Sequence, residues 1–452
     1  MPENNVLELV IAFSPIAPDA PDETPVRFSV RCSQVGALWD GGEFVNPLDD
    51  AKVLGEIRWY LEEYWRWPTD IDRERAHKVE AALNDWGRKL FDAVFDKREP
   101  ARIYEAFLNH QADQRRVVIE AQAPRVQRLP WELLAESSGP LFSRRVPISI
   151  SRRVHLEHAP AVRAFALPLR VLLVVSRPEG AGFIDPRTTA RGMLDALDAL
   201  IAEGVVVVDF LRPPTLAALD DALRRAERAQ RPYHIVHFDG HGVYHRRTGL
   251  GQLAFEHADA TLDLVDADRL GSLLQECGVP LMLLEACQTA QGDQSNPFSS
   301  VAARLIEAGI GGVLSMSHSV LVVSAARFVE AFYRALVEGC TVGQATDEAR
   351  RALVRDPRRL SLEHMDRAGY LDLHDWFLPV LYQQAADAAP FVAVSGQPSA
   401  ISSQPLAISG QPSVAGSLKS KIDPFAPLEA AMRRLLDQLT QDEPRYMDAL
   451  TL

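Results

Sequence analysis

Cysteine is scarce in this 452-residue sequence, and long apolar runs are absent. No run reaches the length of a membrane-spanning helix and no secretory signal precedes Val6, so we expect a chain that neither enters a membrane nor is exported. The four cysteines have no paired spacing, which is typical of a protein in the reducing cytoplasm, where a free catalytic thiol survives. They are Cys32, Cys277, Cys287 and Cys340.

Positive charge is also in deficit, with 48 Lys and Arg against 61 Asp and Glu and a net charge of -13. This balance argues against direct binding of nucleic acid or of an anionic membrane surface. Hydrophobic residues make up 47% of the chain and charged residues 24%, as in ordinary globular proteins. The length allows two or three domains, each with a sizeable core.

Several motifs of other chemistries are missing as well. No G-x-S-x-G nucleophile elbow occurs. Gly309-Ile-Gly-Gly312 precedes a predicted strand and lacks the Gly-Lys-Ser/Thr of a phosphate loop, so we expect no bound nucleotide. His234, His237, His241 and His245 are closely spaced, but a strand would place the first two on opposite sides. We therefore expect neither a metal nor a cofactor.

Two short strings carry the candidate chemistry. Residues 234–242 and 281–290 each begin as an apolar run and end in polar and small residues. Each is predicted to be a buried strand that delivers a reactive side chain to a loop at its carboxyl end. The first delivers His241, and the second delivers Cys287, 46 residues later. This order and spacing are typical of caspase-type cysteine peptidases.

The residue types explain the proposed chemistry. A thiol becomes a good nucleophile as a thiolate, and a neighbouring imidazole can take or hold its proton. The glycine after His241 would let the backbone N–H of Gly242 join that of Cys287 in an oxyanion hole. In the alternative interpretation, Cys287 is an inert buried thiol and His241 a loop histidine. Their joint placement at two strand ends favours the catalytic pair.

Residues 1–160 form a predicted α/β supporting region, of a pseudo-caspase-like kind, without a reactive cluster. Its predicted strands are Leu7–Phe13, Val26–Cys32, Val117–Glu120 and Ile148–Arg152, and its helices span about 48–65 and 70–95. Leu129-Pro-Trp-Glu-Leu-Leu134 is predicted to start a short helix with proline in its first turn.

Residues 161–390 alternate regularly between strands and helices. The predicted strands are 170–175, 204–210, 234–238, 281–284 and 312–315, with a sixth at 376–382. The predicted helices are 188–202, 215–229, 267–276, 298–308, 325–338 and 342–355, the last opened by a capping box of Thr341 and Gln344. Alternation of this kind indicates an α/β fold with a mostly parallel sheet flanked by helices, and an active site at the carboxyl ends of its strands.

The last part of the chain differs in composition. Residues 356–375 are predicted to be a flexible loop. Gln-Pro then recurs every seven residues, which forbids a helix and predicts an extended linker over 391–426. Residues 427–452 are predicted to contain an amphipathic helix. That helix would dock on this protein, bind a regulatory sensor or repeat partner, or begin a further module.

The sequence resembles CHAT-domain proteins, the bacterial branch of the caspase-like clan of cysteine peptidases. His237–Gly242 and Glu285–Ala290 carry the resemblance, with support from Gly309–Ser315 and Leu129–Leu134, over roughly residues 110–385. The resemblance implies a caspase-hemoglobinase fold and a Cys–His dyad. It also implies a regulated protease, often one of antiphage defence or programmed cell death.

The residues around the dyad suggest how a substrate would be bound. Glu285 precedes Cys287 by two positions, so its carboxylate would share the thiol's side of the strand. The resemblance implies that it walls a pocket for Arg or Lys; alternatively it pairs with a structural arginine. Asp239 would face the substrate site and orient His241, or cap a turn. Ser317 and His318 follow the fifth strand and are expected to contact substrate, although this stretch lacks the Trp and Asp often found there.

We therefore expect a regulated cytoplasmic cysteine endopeptidase that cuts a protein, such as a pore-forming or regulatory protein, after a basic residue. Two alternatives remain open. The chain would be a catalytically silent scaffold or sensor with the same fold, or an acyl-transfer enzyme or esterase that uses the same cysteine and histidine.

Overall fold

The computed structural model describes residues 6–15, 26–48, 50–66, 68–121, 123–153, 165–179, 186–245, 250–288, 297–361 and 370–384. The chain divides into two units, residues 1–396 and 397–452, and every described residue belongs to the first. The predicted Gln-Pro linker and C-terminal helix lie outside the described residues.

Strands and helices alternate along the described chain. The strands are β1 (Val6–Pro15), β2 (Val26–Cys32), β3 (Ala37–Phe44), β4 (Gln114–Ala121), β5 (Ala135–Glu136), β6 (Gly139–Pro140), β7 (Ile148–Arg153), β8 (Leu169–Val175), β9 (Val206–Phe210), β10 (Ile235–His245), β11 (Leu250–Glu256), β12 (Leu262–Asp266), β13 (Leu281–Gln288), β14 (Gly312–Met316), β15 (Arg358–Ser361), β16 (Tyr370–Asp372) and β17 (Pro379–Gln383). The helices are α1 (Asp50–Glu62), α2 (Asp70–Phe95), α3 (Arg98–Asn109), α4 (Pro124–Gln127), α5 (Pro186–Ala202), α6 (Leu216–Arg228), α7 (Ala267–Glu276), α8 (Pro297–Glu307), α9 (Val322–Val337) and α10 (Val342–Arg355).

One sheet of 13 strands runs through both halves of the described chain. Strands β9, β8, β10, β13 and β14 are neighbours in that order and are parallel. Strands β17, β7, β4 and β1 are also parallel to one another, but β17 pairs antiparallel with β14. The sheet thus contains two parallel sets of strands of opposite direction, joined between β14 and β17, with β11 and β12 antiparallel beside one set and β2 and β3 antiparallel beside the other. The predicted mostly parallel α/β fold is confirmed, and the predicted division at residue 160 falls within this continuous sheet.

Alternation of side chains places helices on both faces of the C-terminal half. Val236, Phe238 and Leu284 belong to a buried cluster that includes apolar residues of α6, α7 and α8. Leu283 and Leu314, which alternate with them, belong to a cluster that includes residues of α9. Residues two apart in a strand share a face, so each strand contributes to both cores. The continuous apolar runs follow from this double coverage.

Helix starts agree with the sequence pattern at α10. Thr341 accepts a hydrogen bond from the backbone N–H of Gln344, and the Gln344 side chain accepts one from the backbone N–H of Thr341. The predicted capping box is therefore confirmed. A second box, of Thr69 and Asp72, begins α2.

Other expectations need correction. Strands β3, β11 and β12 and helix α3 were not predicted. The predicted flexible loop at 356–375 contains the hairpin of β15 and β16. Asp375, at its end, forms a fully buried ion pair with Arg359 and accepts a hydrogen bond from Ser324 of α9. These contacts fix the two ends of the stretch to the domain core.

Candidate functional site

Strands β10 and β13 lie side by side in the sheet, as their apolar runs predict. Their parallel register places His241 directly opposite Cys287. The flanking pairs in the same register are Asp239 with Glu285 and Gly242 with Gln288. Because adjacent strands lie ~4.8 Å apart, the backbones at 241 and 287 are immediate neighbours.

Both strands continue further than the sequence predicts. We expected His241 and Gly242 in a loop, but β10 extends to His245 and β13 extends to Gln288. The reason is that β10 pairs with different neighbouring strands along its length. Strand β8 pairs with residues 235–239, and β11 then pairs antiparallel with residues 242–245. The hairpin of β11 and β12 thus keeps the glycine-containing stretch extended, with His241 at the point of change.

The imidazole of His241 has no solvent exposure in this structure. Gly242 is paired with Leu253 on one side and Gln288 on the other. The proposed use of the Gly242 and Cys287 amides as an oxyanion hole stays a prediction. So does the proton exchange between His241 and Cys287.

Asp239 lies two residues before His241 and is held by Arg177, which follows β8. The guanidinium Nη2 donates to both carboxylate oxygens of Asp239 at 2.7 Å, and Nη1 donates to the Asp239 carbonyl at 2.7 Å. The backbone N–H of Arg177 donates to Glu256 of β11 at 2.8 Å. Arg177 therefore connects the ends of β8, β10 and β11 at the place where β10 changes neighbours.

Glu285 is nine-tenths buried and contacts the imidazole of His237. Its Oε2 lies 2.9 Å from Nε2 of His237, which is fully buried on the adjacent strand. The alternative partner expected for Glu285, a structural arginine, is replaced here by a histidine. A role of Glu285 in binding substrate remains a prediction.

Tyr333 of α9 completes this arrangement from above the sheet. Its hydroxyl lies 3.1 Å from Nδ1 of His237, and its side chain is fully buried. Burial, with the nearby charge of Glu285, raises the pKa of Tyr333 well above its ordinary value. The hydroxyl therefore keeps its proton and can donate it in a hydrogen bond to His237.

Ser317 and His318 lie just beyond the carboxyl end of β14, at the same edge of the sheet as the ends of β10 and β13. Nδ1 of His318 lies 3.1 Å from Oγ of Ser317. Burial lowers the pKa of His318, against the opposing effect of Glu62. Both residues line a cavity of about 220 Å³ together with residues of α1 and β17. Their predicted contact with substrate remains untested.

Two residues that shape this edge were missed in the sequence. Arg177 directly follows an apolar strand, the position at which parallel sheets carry polar site residues. Tyr333 interrupts the apolar face of α9, a face that also contains Phe328 and Phe332. Both features are visible in the sequence. Neither predicts which residue is contacted, because the contacting residues are far apart in the chain; His237 and Tyr333 are separated by 96 residues.

The remaining cysteines and the closely spaced histidines have other surroundings. Burial raises the pKa of the thiols of Cys32, Cys277 and Cys340. Within the described ranges, no three His, Cys, Asp or Glu side chains form a cluster that could hold a metal ion. In the same ranges, no helix combines the length and apolar character that a membrane crossing requires.

Comparison with known proteins identifies a family. The sequence matches the model of the CHAT domain over residues 85–394, more than two thirds of the chain. No curated protein sequence matches it.

Two solved structures are similar in fold. One is the Saccharomyces cerevisiae separase–securin complex, with a TM-score of 0.43, 10% identity, and coverage of 86% of this chain and 30% of that chain. The other is caspase-1 from Spodoptera frugiperda, with a TM-score of 0.33, 12% identity, and coverage of 52% of this chain and 94% of that chain. The chain thus spans under a third of the length of the chain matched in the separase–securin complex.

Proposed function

Because the chain belongs to the CHAT domain family, we propose that it is a regulated, caspase-like cysteine endopeptidase that acts on a protein. The observation that carries this proposal is the register of β10 and β13, in which His241 is the direct partner of Cys287. The backbones of these two residues are neighbours in the sheet, and we assign the Cys–His dyad to them.

The reaction follows from these two groups. His241 takes the proton of the Cys287 thiol, and the thiolate attacks the carbonyl carbon of the scissile peptide bond. The oxygen that gains charge is stabilised by backbone N–H groups, for which Gly242 and Cys287 are the candidates. The imidazolium then protonates the leaving amine, and an acyl-thioester remains. Water, activated by the neutral imidazole, hydrolyses the thioester and restores the thiol.

Regulation is supported by the burial of His241. An imidazole with no exposed surface does not meet a substrate, so a rearrangement at the end of β10 must precede catalysis. We place the trigger in a sensor or repeat partner that contacts residues 427–452, or in cleavage within residues 356–375. A protease that is inactive until it is triggered suits a cytoplasmic role in bacterial antiphage defence or programmed cell death. Its substrate would be a pore-forming or regulatory protein.

The position of Glu285 supports cleavage after a basic residue. Its carboxylate is nine-tenths buried two residues before Cys287, and its register partner is Asp239. Asp239 is already paired with Arg177, which leaves Glu285 as the carboxylate available to a substrate cation. We therefore assign Glu285 to the pocket for the residue before the scissile bond, and Ser317 and His318 to its neighbourhood.

The dyad is tested by proteome-wide identification of new N-termini after incubation with the full-length chain. Wild type should generate cleavage sites that Cys287→Ala and His241→Ala lose by at least about 10³-fold. Cys277→Ala is the matched control, since its thiol is buried at the end of α7, and should cleave like wild type.

A peptidyl acyloxymethyl ketone gives a second readout, because it labels a reactive thiol without turnover. Labelling of wild type that Cys287→Ala abolishes supports the protease. Absence of both labelling and new N-termini, with and without the native partner, would contradict the proposal and favour a silent scaffold. Hydrolysis of ester reporters without any peptide cleavage would favour the esterase instead.

The regulatory part has its own test. Deletion of residues 391–452 should change the basal rate of labelling at Cys287 or its response to the native partner. An unchanged basal rate together with an unchanged response would remove the C-terminal segment from the regulatory proposal.

A further inference from the structure

The two carboxylate oxygens of Glu285 have different surroundings. Oε2 is engaged by Nε2 of His237 at 2.9 Å. Among the described residues, Oε1 has no hydrogen-bond partner. A carboxylate oxygen without a donor from the protein can accept a hydrogen bond from a ligand. Glu285 is thus a half-occupied anion, two residues before the nucleophile assigned to Cys287.

The occupied oxygen is held by a rigid support. A carboxylate only accepts hydrogen bonds, so Nε2 of His237 must carry the proton that faces Glu285. Its other ring nitrogen, Nδ1, lies 3.1 Å from the Tyr333 hydroxyl, so both nitrogens of the ring are engaged. His237 and Tyr333 are both fully buried, and their rings meet edge to face at 90°. Because both rings are fully buried, neither can rotate out into solvent.

This support limits how a cation can bind. A guanidinium binds a carboxylate best as a fork, with one N–H on each of the two oxygens. The imidazole of His237 already takes one of the two lone pairs of Oε2, so a fork on both oxygens would compete with it. A primary ammonium is a compact point charge that needs only one oxygen. A site with one available oxygen therefore discriminates between the two basic side chains.

We propose that Glu285 receives the ammonium group of a lysine before the scissile bond in preference to the guanidinium of an arginine. His237 and Tyr333 are the positioning residues that impose this choice, by holding Oε2 and leaving Oε1. The inference rests on the proposed function, and it narrows the basic class to one residue type. It also assigns His237 to the substrate pocket, a role that the sequence pattern did not predict.

The experiment measures the second-order rate at which full-length protein is labelled at Cys287 by three matched probes. The probes are tripeptidyl acyloxymethyl ketones that differ only in having Lys, Arg or Leu next to the warhead. Wild type should react with the Lys probe about tenfold faster than with the Arg probe, the worth of one charge-assisted hydrogen bond. The Leu probe should be slowest, and Glu285→Gln should bring the Lys and Arg rates close to it.

The positioning role is tested by His237→Leu, which frees Oε2. The Arg rate should then rise relative to the Lys rate until the ratio is about one or inverted. Tyr333→Phe keeps the packing but removes the hydroxyl, so it should lower the ratio in the same direction by less. His234→Leu is the matched control, a buried histidine three residues earlier that does not contact Glu285, and should keep the wild-type ratio. A merely structural role would change all rates together and leave the ratio constant.

The outcomes separate this inference from the proposed function. An Arg rate equal to or above the Lys rate in wild type, or a ratio unmoved by both His237→Leu and Tyr333→Phe, overturns the lysine preference alone. A Leu rate as high as the basic probes overturns cleavage after a basic residue. Failure of every probe to label Cys287, with and without the native partner, overturns the protease itself. If His237→Leu does not fold by circular dichroism, Tyr333→Phe decides the positioning role.

Discussion

Two buried glutamates, one in each half of the described chain, are paired in different ways. In the N-terminal half, Glu132 places both carboxylate oxygens on the guanidinium of Arg152, at 3.0 and 2.6 Å. In the C-terminal half, Glu285 places one oxygen on His237. Both oxygens of the first carboxylate are paired within the protein, whereas one oxygen of the second remains available to a ligand.

The same contrast holds for the other charges of the N-terminal half. Glu8 lies between Arg116 and Arg153, and Glu120 lies between Arg153 and Arg31. The two arginines around Glu8 lower the pKa of its carboxyl group against the effect of burial. This ladder crosses β1, β2, β4 and β7 and pairs each of its two carboxylates with two guanidinium groups. Buried charges that are fully paired hold a sheet together, and those left half-paired at strand ends mark a site.

We expect the largest effect on stability from substitution of Arg152. Arg152→Met should leave Glu132 buried without its cation and lower the free energy of unfolding by about 3–5 kcal/mol. Loss of the hydrogen bond from Arg152 to the Leu129 carbonyl adds to the effect. Urea denaturation followed by tryptophan fluorescence measures it.

The double variant Arg152→Met with Glu132→Leu serves as the control, since it removes both charges and should recover part of the loss. Equal stability of Arg152→Met and wild type would show that the ion pair does not support the N-terminal half. The Lys-to-Arg labelling ratio should be unaffected in each variant that folds.

A second prediction concerns His234, which precedes β10 and to which we assign a structural role. Burial, with the charge of Arg170, lowers the pKa of His234 to about 4 from 6.5. Its Nδ1 accepts a hydrogen bond from the backbone N–H of Arg170 at 3.1 Å, which requires the neutral ring. The unfolded chain takes up this proton first, so stability is full above pH 6.5 and is lost as the pH falls toward 4.

Wild type should therefore lose about 2 kcal/mol more than His234→Gln between pH 7.5 and pH 5. Denaturation of both proteins at the two pH values gives this difference, and the other titrating groups cancel between them. The same loss in both proteins would count against a buried neutral His234.

A smaller effect is expected at Arg177, in the C-terminal half. Arg177→Gln should slow labelling of Cys287 about tenfold, because charge-assisted hydrogen bonds no longer hold the end of β10 two residues before His241. The Lys-to-Arg ratio should stay at the wild-type value, since Arg177 does not contact Glu285. Arg224→Gln, on the exposed surface of α6, is the control and should react like wild type. An unchanged rate in Arg177→Gln would deny it a positioning role.

The smallest effects are expected at the two capping boxes. Thr341 is buried at the start of α10, and Thr69 is exposed at the start of α2. Replacement of either by alanine removes an N-cap, with costs of about 1–2 kcal/mol for Thr341 and about 0.5–1 kcal/mol for Thr69. Thermal unfolding of the two variants compares them. A larger loss at Thr69 would contradict the assumption that burial increases the cost of an uncapped N–H.

Much of the fold follows from local pattern. Short apolar runs alternate with amphipathic stretches along β8 to α10, and these two patterns predict strands and helices. The prediction failed where pattern was weak. Strand β3 contains Asp40-Gly41-Gly42, a turn-like string that pairs with β2 and forms a strand despite its composition. The stretch from Gly240 to Gly242 also read as a loop, and pairing with β11 and β13 keeps it extended.

The residues of the candidate site also differ in whether local pattern predicts them. His241 and Cys287 were evident because each ends an apolar run, a signal carried by a few consecutive residues. Arg177 and Tyr333 were not, because their importance depends on Asp239 and His237, which lie 62 and 96 residues away. No periodicity connects positions so distant in the chain.

By itself, the sequence determined the family, the alternation of strands and helices, and which two residues carry thiol and imidazole. These are properties of short segments, since hydrophobic periodicity and residue chemistry act over a few positions. Only the tertiary structure decided the level at which residues 241 and 287 face each other, the reversal of strand direction at β17, and the half-occupied state of Glu285. Register and hydrogen-bond pairing are set by packing between distant segments, because each donor and acceptor binds whatever partner the folded sheet brings within reach.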